Sequence, residues 1–362
     1  MKKSLIALAV LGAYAGVASA QSSVKLDGTL DVGVQTVKNG SALKGSQQRS
    51  MSTNGINSSQ FRVSGVEDLG GGLRAGFNLN SGVFPDTGQA SSETSGKFWN
   101  RRATVSLMGG FGEVRLGRDY TPTFWNITLF DPFGTNGIGT TILINSSTLG
   151  TNAKTTVRAD NAIQYWTPAM GGFEVQAMAS FNEGNAGGVG PNNATGNKYQ
   201  GIRVGYSAGP IALGVALGNT TVATGPAGAT SNGSGDDKLN QSSIAGSYKF
   251  GPAKVNLMFT NNKNGNFKEA DLQLGAAISV GQGLINFAYN KLNKSGAGTD
   301  ANDATHVAVG YTYNLSTRTA LYGTYASLKN KGTLKQVIGG NNTGMANGET
   351  SNGAEFGLRH FF

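Results

Sequence analysis

Apolar and polar residues alternate with a period of two along most of the chain. Residues 24–37, 72–81 and 304–314 show the alternation most clearly. Successive side chains of a β-strand point to opposite faces, so each of these segments has one apolar and one polar face. The pattern therefore predicts a protein built from β-strands, each with two different environments.

About sixteen such segments recur from one end of the chain to the other. Each is close to the ~9–11 residues that a tilted strand needs to cross a bilayer. The predicted strands cover residues 24–37, 58–66, 72–81, 98–108, 113–119, 160–167, 173–182, 198–207, 211–219, 240–250, 253–261, 267–280, 283–291, 304–314, 318–328 and 354–362.

The connections between these segments alternate in length. Short turns alternate with long polar segments. Examples of the turns are Glu67–Gly71, Gly109–Gly112 and Gly251-Pro252, and examples of the long segments are Lys38–Asn57 and Glu183–Asn197. Outer-membrane barrels have this arrangement, with short periplasmic turns and long extracellular loops. A soluble β-sandwich or a secreted β-solenoid is the alternative, but neither sorts its loops by length in this way.

A barrel also follows from backbone hydrogen bonding. Hydrocarbon offers no partner to the N–H and C=O groups of an open sheet edge, so a membrane sheet closes on itself. Sixteen strands leave a water-filled lumen rather than a packed core. The predicted fold is all-β: a 16-stranded antiparallel transmembrane β-barrel in which the N- and C-terminal strands pair.

The first twenty residues have the pattern of a secretory signal peptide. Lys2 and Lys3 precede a mostly apolar stretch, Ser4–Val17, and Ala18-Ser19-Ala20 is the small-residue pattern of a cleavage site. A short first transmembrane helix is the alternative, but the apolar run falls short of the ~20 residues of a span. We therefore expect two parts: a signal peptide at 1–20 and the barrel at 21–362.

Composition and charge narrow the function classes. Glycine contributes 56 of 362 residues and only 14% are charged, whereas globular domains average about 7% glycine and 25% charge. Cysteine is absent, which excludes thiolate metal sites and cysteine nucleophiles. Without its two leader lysines the chain has 27 basic and 20 acidic residues, a net charge of +7. No basic run or nucleic-acid motif accompanies this charge, so we expect it to act on small ions.

Two stretches are specific enough to suggest a family: residues 60–70, QFRVSGVEDLG, and residues 110–120, GFGEVRLGRDY. Asp131-Pro132-Phe133-Gly134 and the terminal Phe362 add to the likeness. Over its whole mature length the chain resembles the trimeric general porins of Gram-negative outer membranes, most closely their betaproteobacterial branch. The resemblance implies an outer-membrane homotrimer, contact with outer-membrane lipid, and a passive channel for small hydrophilic solutes and ions. It also implies that Phe362 is read as an assembly signal.

In that family the loop after the fifth strand folds into the barrel and narrows the pore. The matching loop here is Tyr120–Ala159, which carries Trp125, Phe130 and Phe133. This is more apolar mass than an exposed loop needs, and loops of this length are usually functional or disordered. We expect the three aromatic side chains to pack the loop against the barrel wall.

The family also carries arginines on the wall that faces this loop, and acids on the loop. The matching arginines are Arg62, Arg118 and Arg158, and Asp131 is the matching acid. Alternation places Arg62 and Arg158 in the lumen but groups Arg118 with the lipid-facing residues, so we expect a bulge to turn it inward. Arg74 and Arg102 face the lumen by the same alternation. Rings of arginine favour anions, so the predicted partners are small anions and hydrophilic solutes.

Other functions leave weaker signals. An outer-membrane hydrolase would need a catalytic group, and His306 and His360 have no nucleophile motif near them. Asp27 and Asp31 both face the lumen and would form an acid–base pair if they met. A third hypothesis is an adhesin or phage receptor that acts through the loops, and this function is compatible with a pore. No phosphate-binding loop, cofactor motif or obvious aromatic track for sugars is present.

Overall fold

The computed structural model describes residues 23–40, 47–90, 96–145, 149, 155–181, 198–221, 238–296, 298–339 and 344–362. The predicted signal peptide at 1–20 and parts of several predicted loops, including Lys38–Asn57 and Glu183–Asn197, lie outside these residues. Among the described residues, no helix is both long enough and apolar enough to cross a membrane.

A closed antiparallel barrel of sixteen strands forms the protein, which confirms the predicted fold. The wall is built from eighteen strand segments: β1 (Ser23–Asn39), β2 (Gln47–Thr53), β3 (Gln60–Gly70), β4 (Leu73–Phe84), β5 (Gln89–Ala90), β6 (Arg102–Gly109), β7 (Gly112–Tyr120), β8 (Arg158–Trp166), β9 (Phe173–Ser180), β10 (Lys198–Ala208), β11 (Ile211–Thr221), β12 (Lys238–Phe250), β13 (Ala253–Asn264), β14 (Phe267–Val280), β15 (Gly283–Ser295), β16 (Ala304–Asn314), β17 (Thr319–Asn330) and β18 (Thr350–Phe361). Neighbouring segments pair in chain order, and β5 is a two-residue extension that pairs with β4.

The barrel closes where β1 meets β18. Eleven residue pairs, from Thr29 with Phe361 to Asn39 with Ser351, join the two strands. Beyond them, Gly28 and Phe362 exchange both of their backbone N–H···O bonds, each 3.1 Å long. A Cβ on Gly28 would lie 2.3 Å from the Phe362 ring, so the terminal ring can sit here only because residue 28 is glycine. This closure removes both sheet edges.

The two faces of the wall differ as the alternation predicts. Outward side chains are large and apolar, as at Val24, Leu213 and Leu257, each more than half exposed in the isolated chain. Inward positions are polar or small. On β12 and β13, for example, Gln241, Ser243, Asn256 and Thr260 are buried within the lumen.

The second strand of the barrel is interrupted, which the sequence pattern did not predict. Both β2 and β3 pair with β1, and residues 54–59 between them leave the sheet. Asp31 holds this segment: one of its carboxylate oxygens accepts the N–H groups of Ile56 (2.9 Å) and Asn57 (2.7 Å), and the other accepts the Tyr322 hydroxyl (2.6 Å). Asp31 is fully buried, so it is a structural anchor.

The loop after β7 fills part of the lumen, which confirms the predicted inward fold. Its main element is α1 (Pro122–Phe130), followed by the short α2 (Ile142–Asn145). The helix begins because the Thr121 side chain caps it and Pro122 occupies its first turn. One face of α1 lies against β10 to β13.

Replacing Asp31 by alanine should lower the thermal stability of the barrel. Three donors would lose their acceptor, and an unsatisfied donor costs about 1–3 kcal/mol. Circular dichroism melting in detergent should show the lower unfolding midpoint for Asp31→Ala. Asp86→Ala, at an exposed position, is the matched control and should melt like the unmodified protein. Equal melting of the two variants would contradict the anchoring role.

Candidate functional site

The inward loop covers only one wall of the barrel. The amide of Asn126 on α1 donates to Ser243 Oγ (2.8 Å), and Asn256 on β13 donates to the Phe130 carbonyl (2.9 Å). Gly214 makes room for the helix, since a Cβ there would lie 2.2 Å from the Asn126 amide oxygen. The opposite wall, β3 to β8, is left open to water.

Two of the three aromatic side chains singled out in the loop are buried, and the third is half-buried. Phe130 is buried with Ile127, Ala245 and Met258 against the wall. Phe133 is buried in a second cluster inside the lumen, formed with the following residues of the loop, the wall and the segment before β18: Ile138, Ala288, Leu292, Ala304, Ala308, Ala326, Leu328 and Ile338. Trp125 differs from both, because it is half-buried and lines the open side of the lumen.

His306 also fastens the loop. Its ring is fully buried, with Nε2 lying 3.0 Å from the Ile138 carbonyl and Nδ1 lying 3.0 Å from the Asn290 amide nitrogen. Both ring nitrogens therefore have structural partners. His360 contacts the Thr319 hydroxyl through Nδ1 at 3.0 Å.

A water-accessible cavity of about 1050 Å³ lies between the loop and the open wall. Six arginines and three carboxylates line it: Arg62, Arg74, Arg101, Arg102, Arg115 and Arg158, with Glu113, Asp119 and Glu174. All of the charged residues come from the wall. The described residues of the loop contribute only neutral groups, among them Phe124, Trp125 and Asn136.

Each of the three carboxylates is already paired with an arginine. Glu113 bonds to Arg115 at 2.7 Å, and Asp119 lies 3.2 Å from Arg115 and 3.4 Å from Arg102. Glu174 bonds to Arg203 at 2.7 Å. The described residues of the lining therefore carry a formal excess of three positive charges, and each of their three acids has a cationic partner.

Arg62 has its own acidic partner behind the cavity. Its guanidinium bonds to Asp27 at 2.7 and 2.8 Å, and Lys25 lies 3.0 Å from the other oxygen of that carboxylate. Asp27 and Asp31 thus have separate structural partners and do not form the acid–base pair considered from the sequence. Nor do the described residues contain a cluster of three or more His, Cys, Asp or Glu that would hold a metal ion.

Two arginines of the open wall share one acceptor, the hydroxyl of Tyr120 at the end of β7. Arg101 and Arg158 donate to the Tyr120 hydroxyl at 2.7 and 2.6 Å. The Arg158 guanidinium also lies over the Tyr120 ring, 4.3 Å from its centroid. Neither arginine forms an ion pair with any described residue. Both arginines line the cavity.

Arg74 lines the cavity at a different depth. It pairs in register with Met108, while Asn80 pairs with Arg102. Six residues separate the two levels, roughly 20 Å along the strand. Arg74 therefore lies towards the short-turn rim, whereas Arg62 and Arg102 lie level with each other near Tyr120.

Arg118 is a correction to the sequence-based expectation. The bulge exists, between Gly117 and Asp119, but it does not turn Arg118 inward. Arg118 pairs in register with Ala103, on the face opposite the cavity-lining Arg102. Its guanidinium donates to Asp160 at 2.6 Å and to the Asn100 carbonyl at 2.7 Å, and it is absent from the cavity lining.

Asp131 is a second correction, because it does not face the cavity. The carboxylate is buried and accepts bonds from the loop itself: from the N–H groups of Phe133 (3.0 Å), Thr135 (3.1 Å) and Thr141 (3.2 Å), and from the Thr140 hydroxyl (2.5 Å). Burial raises the pKa of this carboxyl, and the donors oppose that rise. Asp131 organises the loop and gives the cavity no negative charge.

Comparison with known proteins agrees with this architecture. The family described as Gram-negative porin matches residues 7–333. The chain belongs to the Gram-negative porin family. Outer membrane porin protein 32 of Delftia acidovorans is 39% identical to this porin over the full length of both chains. This porin is thus an outer-membrane protein that works as a passive diffusion channel and not as an enzyme.

Solved structures give the same fold. The anion-selective porin from Comamonas acidovorans is 34% identical and superimposes with a TM-score of 0.80, over 94% of this porin and 100% of that chain. OmpT of Vibrio cholerae, solved in a trimer form, is only 17% identical and superimposes with a TM-score of 0.66 over 94% and 99% of the two chains. That second likeness shows the fold alone.

Sequence reasoning missed several residues of the cavity. Arg115 lies between the apolar Val114 and Leu116, so the alternation of polar and apolar residues would have placed its side chain in the lumen. Arg101 precedes the start of β6, and alternation has no meaning outside a strand. Tyr120 and Trp166 lie at strand ends and meet Trp125 only because the loop folds back, so no local pattern predicts their contact.

Removing the Asp131 carboxylate should loosen the loop without changing ion preference. The Asp131→Ala porin loses the acceptor of the Phe133, Thr135 and Thr141 N–H groups, so we expect noisier single-channel currents in a planar bilayer. The reversal potential in a KCl gradient should stay the same, because Asp131 does not line the cavity. If Asp131 were instead an acid of the ion path, its removal would increase the preference for anions, and that result would contradict the structure.

Proposed function

We propose that this porin is a trimeric channel with a preference for anions, set by the arginines of its open wall. One observation carries the proposal: among the described residues, six arginines line the cavity against three acids, every one of those acids is paired, and the loop contributes no charge. The likeness to the anion-selective porin from Comamonas acidovorans supports it.

The position of these charges matters more than the net charge of the chain. Surface charges farther from the ion path than a Debye length, about 8 Å at physiological salt, are largely screened. Charges in a narrow cavity with low-dielectric walls are screened less and act on each ion that passes. Arg62, Arg74, Arg101, Arg102, Arg115 and Arg158 belong to the second group. Arg118 does not line the cavity, and its charge is paired with Asp160.

Arg101 and Arg158 are the strongest candidates for setting the preference. Arg62, Arg102 and Arg115 each share their charge with a nearby carboxylate, whereas the side-chain partners of Arg101 and Arg158 are neutral: the Tyr120 hydroxyl for both, and the Gln60 amide oxygen for Arg101. An anion entering the cavity would meet these two guanidinium groups without a competing acid. Charge-assisted hydrogen bonds to guanidinium are stronger than neutral ones.

Replacing both Arg101 and Arg158 by glutamate should invert the ion preference. The double change removes two positive and adds two negative charges, which exceeds the formal excess of three in the cavity. A KCl gradient across a planar bilayer should give an anion-selective reversal potential for the unmodified porin. The double variant should give the opposite sign, and the anion preference should weaken as salt rises.

Lys329→Glu is the control for this experiment. Lys329 is exposed on the outward face of β17, so its charge reversal should leave the reversal potential almost unchanged. Cation preference in the unmodified porin would refute the proposal. So would equal shifts from Lys329→Glu and from the cavity variants.

We also propose that Phe362 serves as the assembly signal and that the mature chain begins after residue 20. The Phe362→Ala porin should reach the outer membrane in smaller amounts, because it lacks the terminal ring that packs on Gly28. Phe356→Ala removes a ring from the same strand and the same outer face, so it is the matched control and should assemble normally. Equal yields of the two variants would contradict this role of Phe362.

Unheated mild-detergent gels separate trimer from monomer and so test the proposed assembly. Monomeric migration of the unmodified porin would contradict the trimer.

A further inference from the structure

Trp125 leaves an aromatic surface open to the cavity. Its ring centroid lies 6.1 Å from Tyr120 at a tilt of 40° and 6.1 Å from Trp166 at 83°. Neither ring is stacked on it, and within the described part of the chain no guanidinium lies over it. The indole is half-buried and lines the cavity, so a flat ring entering the cavity can pack on it.

The neighbouring aromatic rings are already occupied. Phe124 stacks on Tyr120 with centroids 5.4 Å apart and an interplanar angle of 8°, and Arg158 covers Tyr120 as well. Arg115 lies over Trp166, 4.6 Å from its centroid. These rings form an aromatic cluster of four residues: Tyr120, Phe124, Trp125 and Trp166. Of the four, Trp125 is the one that can accept a ring without displacing a stacked partner or a cation.

Two unpaired cations lie beside this surface. Trp125 and the Arg158 guanidinium both contact Tyr120, at 6.1 and 4.3 Å from its centroid, so they are no more than about 10 Å apart. Arg101 reaches the same phenol oxygen as Arg158. A carboxylate bound by these two guanidinium groups would be charge-paired, and a ring attached to that carboxylate would lie near Trp125.

We propose that this corner of the cavity is a transient binding site for aromatic carboxylates. Their carboxylate binds Arg101 and Arg158, and their ring packs on Trp125. The inference rests on the proposed anion channel and names a solute class for it. An aliphatic acid uses the arginines but not the indole, and a neutral sugar uses neither cation. Weak, reversible binding suits a channel, because solutes must leave the site as readily as they enter it.

Block of the chloride current by two matched acids tests the site. Benzoate and cyclohexanecarboxylate carry the same charge and have nearly the same size, but only benzoate is aromatic. We expect benzoate to block single-channel chloride current at about two- to tenfold lower concentration, as expected from one favourable aromatic contact. Both acids should block less well in the Arg101→Gln/Arg158→Gln porin.

Three tryptophan variants locate the aromatic contact. Trp125→Leu should make the two acids equally effective, and Trp125→Phe, which keeps a ring, should retain most of the preference for benzoate. Trp99→Leu is the matched control, because Trp99 stacks on Phe61 outside the cavity lining and its loss should leave the preference intact. Chloride conductance of each variant shows whether its channel has assembled.

The possible results separate this inference from the proposed function. Equal block by benzoate and cyclohexanecarboxylate in the unmodified porin overturns the site, and so does a loss of preference in Trp99→Leu as large as that in Trp125→Leu. Either result leaves the anion channel standing if the KCl reversal potential is anion-selective. A cation-selective reversal potential with an intact, Trp125-dependent benzoate preference overturns the proposed ion preference and leaves the site standing.

Discussion

The whole structure depends on the hydrogen bonding of the backbone in a solvent that offers no partner. In hydrocarbon each unpaired N–H or C=O costs several kcal/mol, so the sheet must close. The pairing of β1 with β18, completed by the mutual bonds of Gly28 and Phe362, is the last step of that closure. Once sixteen strands are closed, the wall is too wide for its own side chains to fill. The lumen is then free for a loop, and the placement of that loop decides what the channel is.

The loop makes the lumen asymmetric. It binds the wall of β10 to β13 through polar contacts at Asn126 and Asn256 and through the buried ring of Phe130. The arginines of the opposite wall line the remaining cavity. Asp131, the acid expected to face them, instead accepts hydrogen bonds from the N–H groups of its own loop. Loop folding and cavity charge are therefore coupled, because the carboxylate that organises the loop is lost to the cavity.

Much of the wall was predictable from the sequence, and much of the site was not. Alternation places a residue correctly wherever a strand is regular, as for Arg62, Arg102 and the apolar outer face. Alternation fails where the sheet is irregular. Residues 54–59 interrupt the second strand, and the N–H groups of Ile56 and Asn57 bond to Asp31 instead of to a neighbouring strand. Arg101 lies just before β6, so alternation does not apply to it. Arg118 shows the converse. Alternation alone places its side chain on the outer face, which is where it lies, whereas the expectation that a bulge turns it inward was wrong, although the bulge exists. The aromatic cluster depends on a loop folding back, which no local pattern contains.

The neutral loop changes the kind of field that an ion meets. Where acids on a loop face arginines on a wall, the field runs across the pore and orients a dipole as it passes. Here the described residues of the loop side are uncharged and those of the wall have a formal excess of three positive charges, so the charge of the cavity lies on one side. An anion that enters is attracted to that side, where Arg101 and Arg158 have only neutral partners. Charge does not distinguish two anions of equal charge, so a difference between them must come from uncharged surfaces such as that of Trp125.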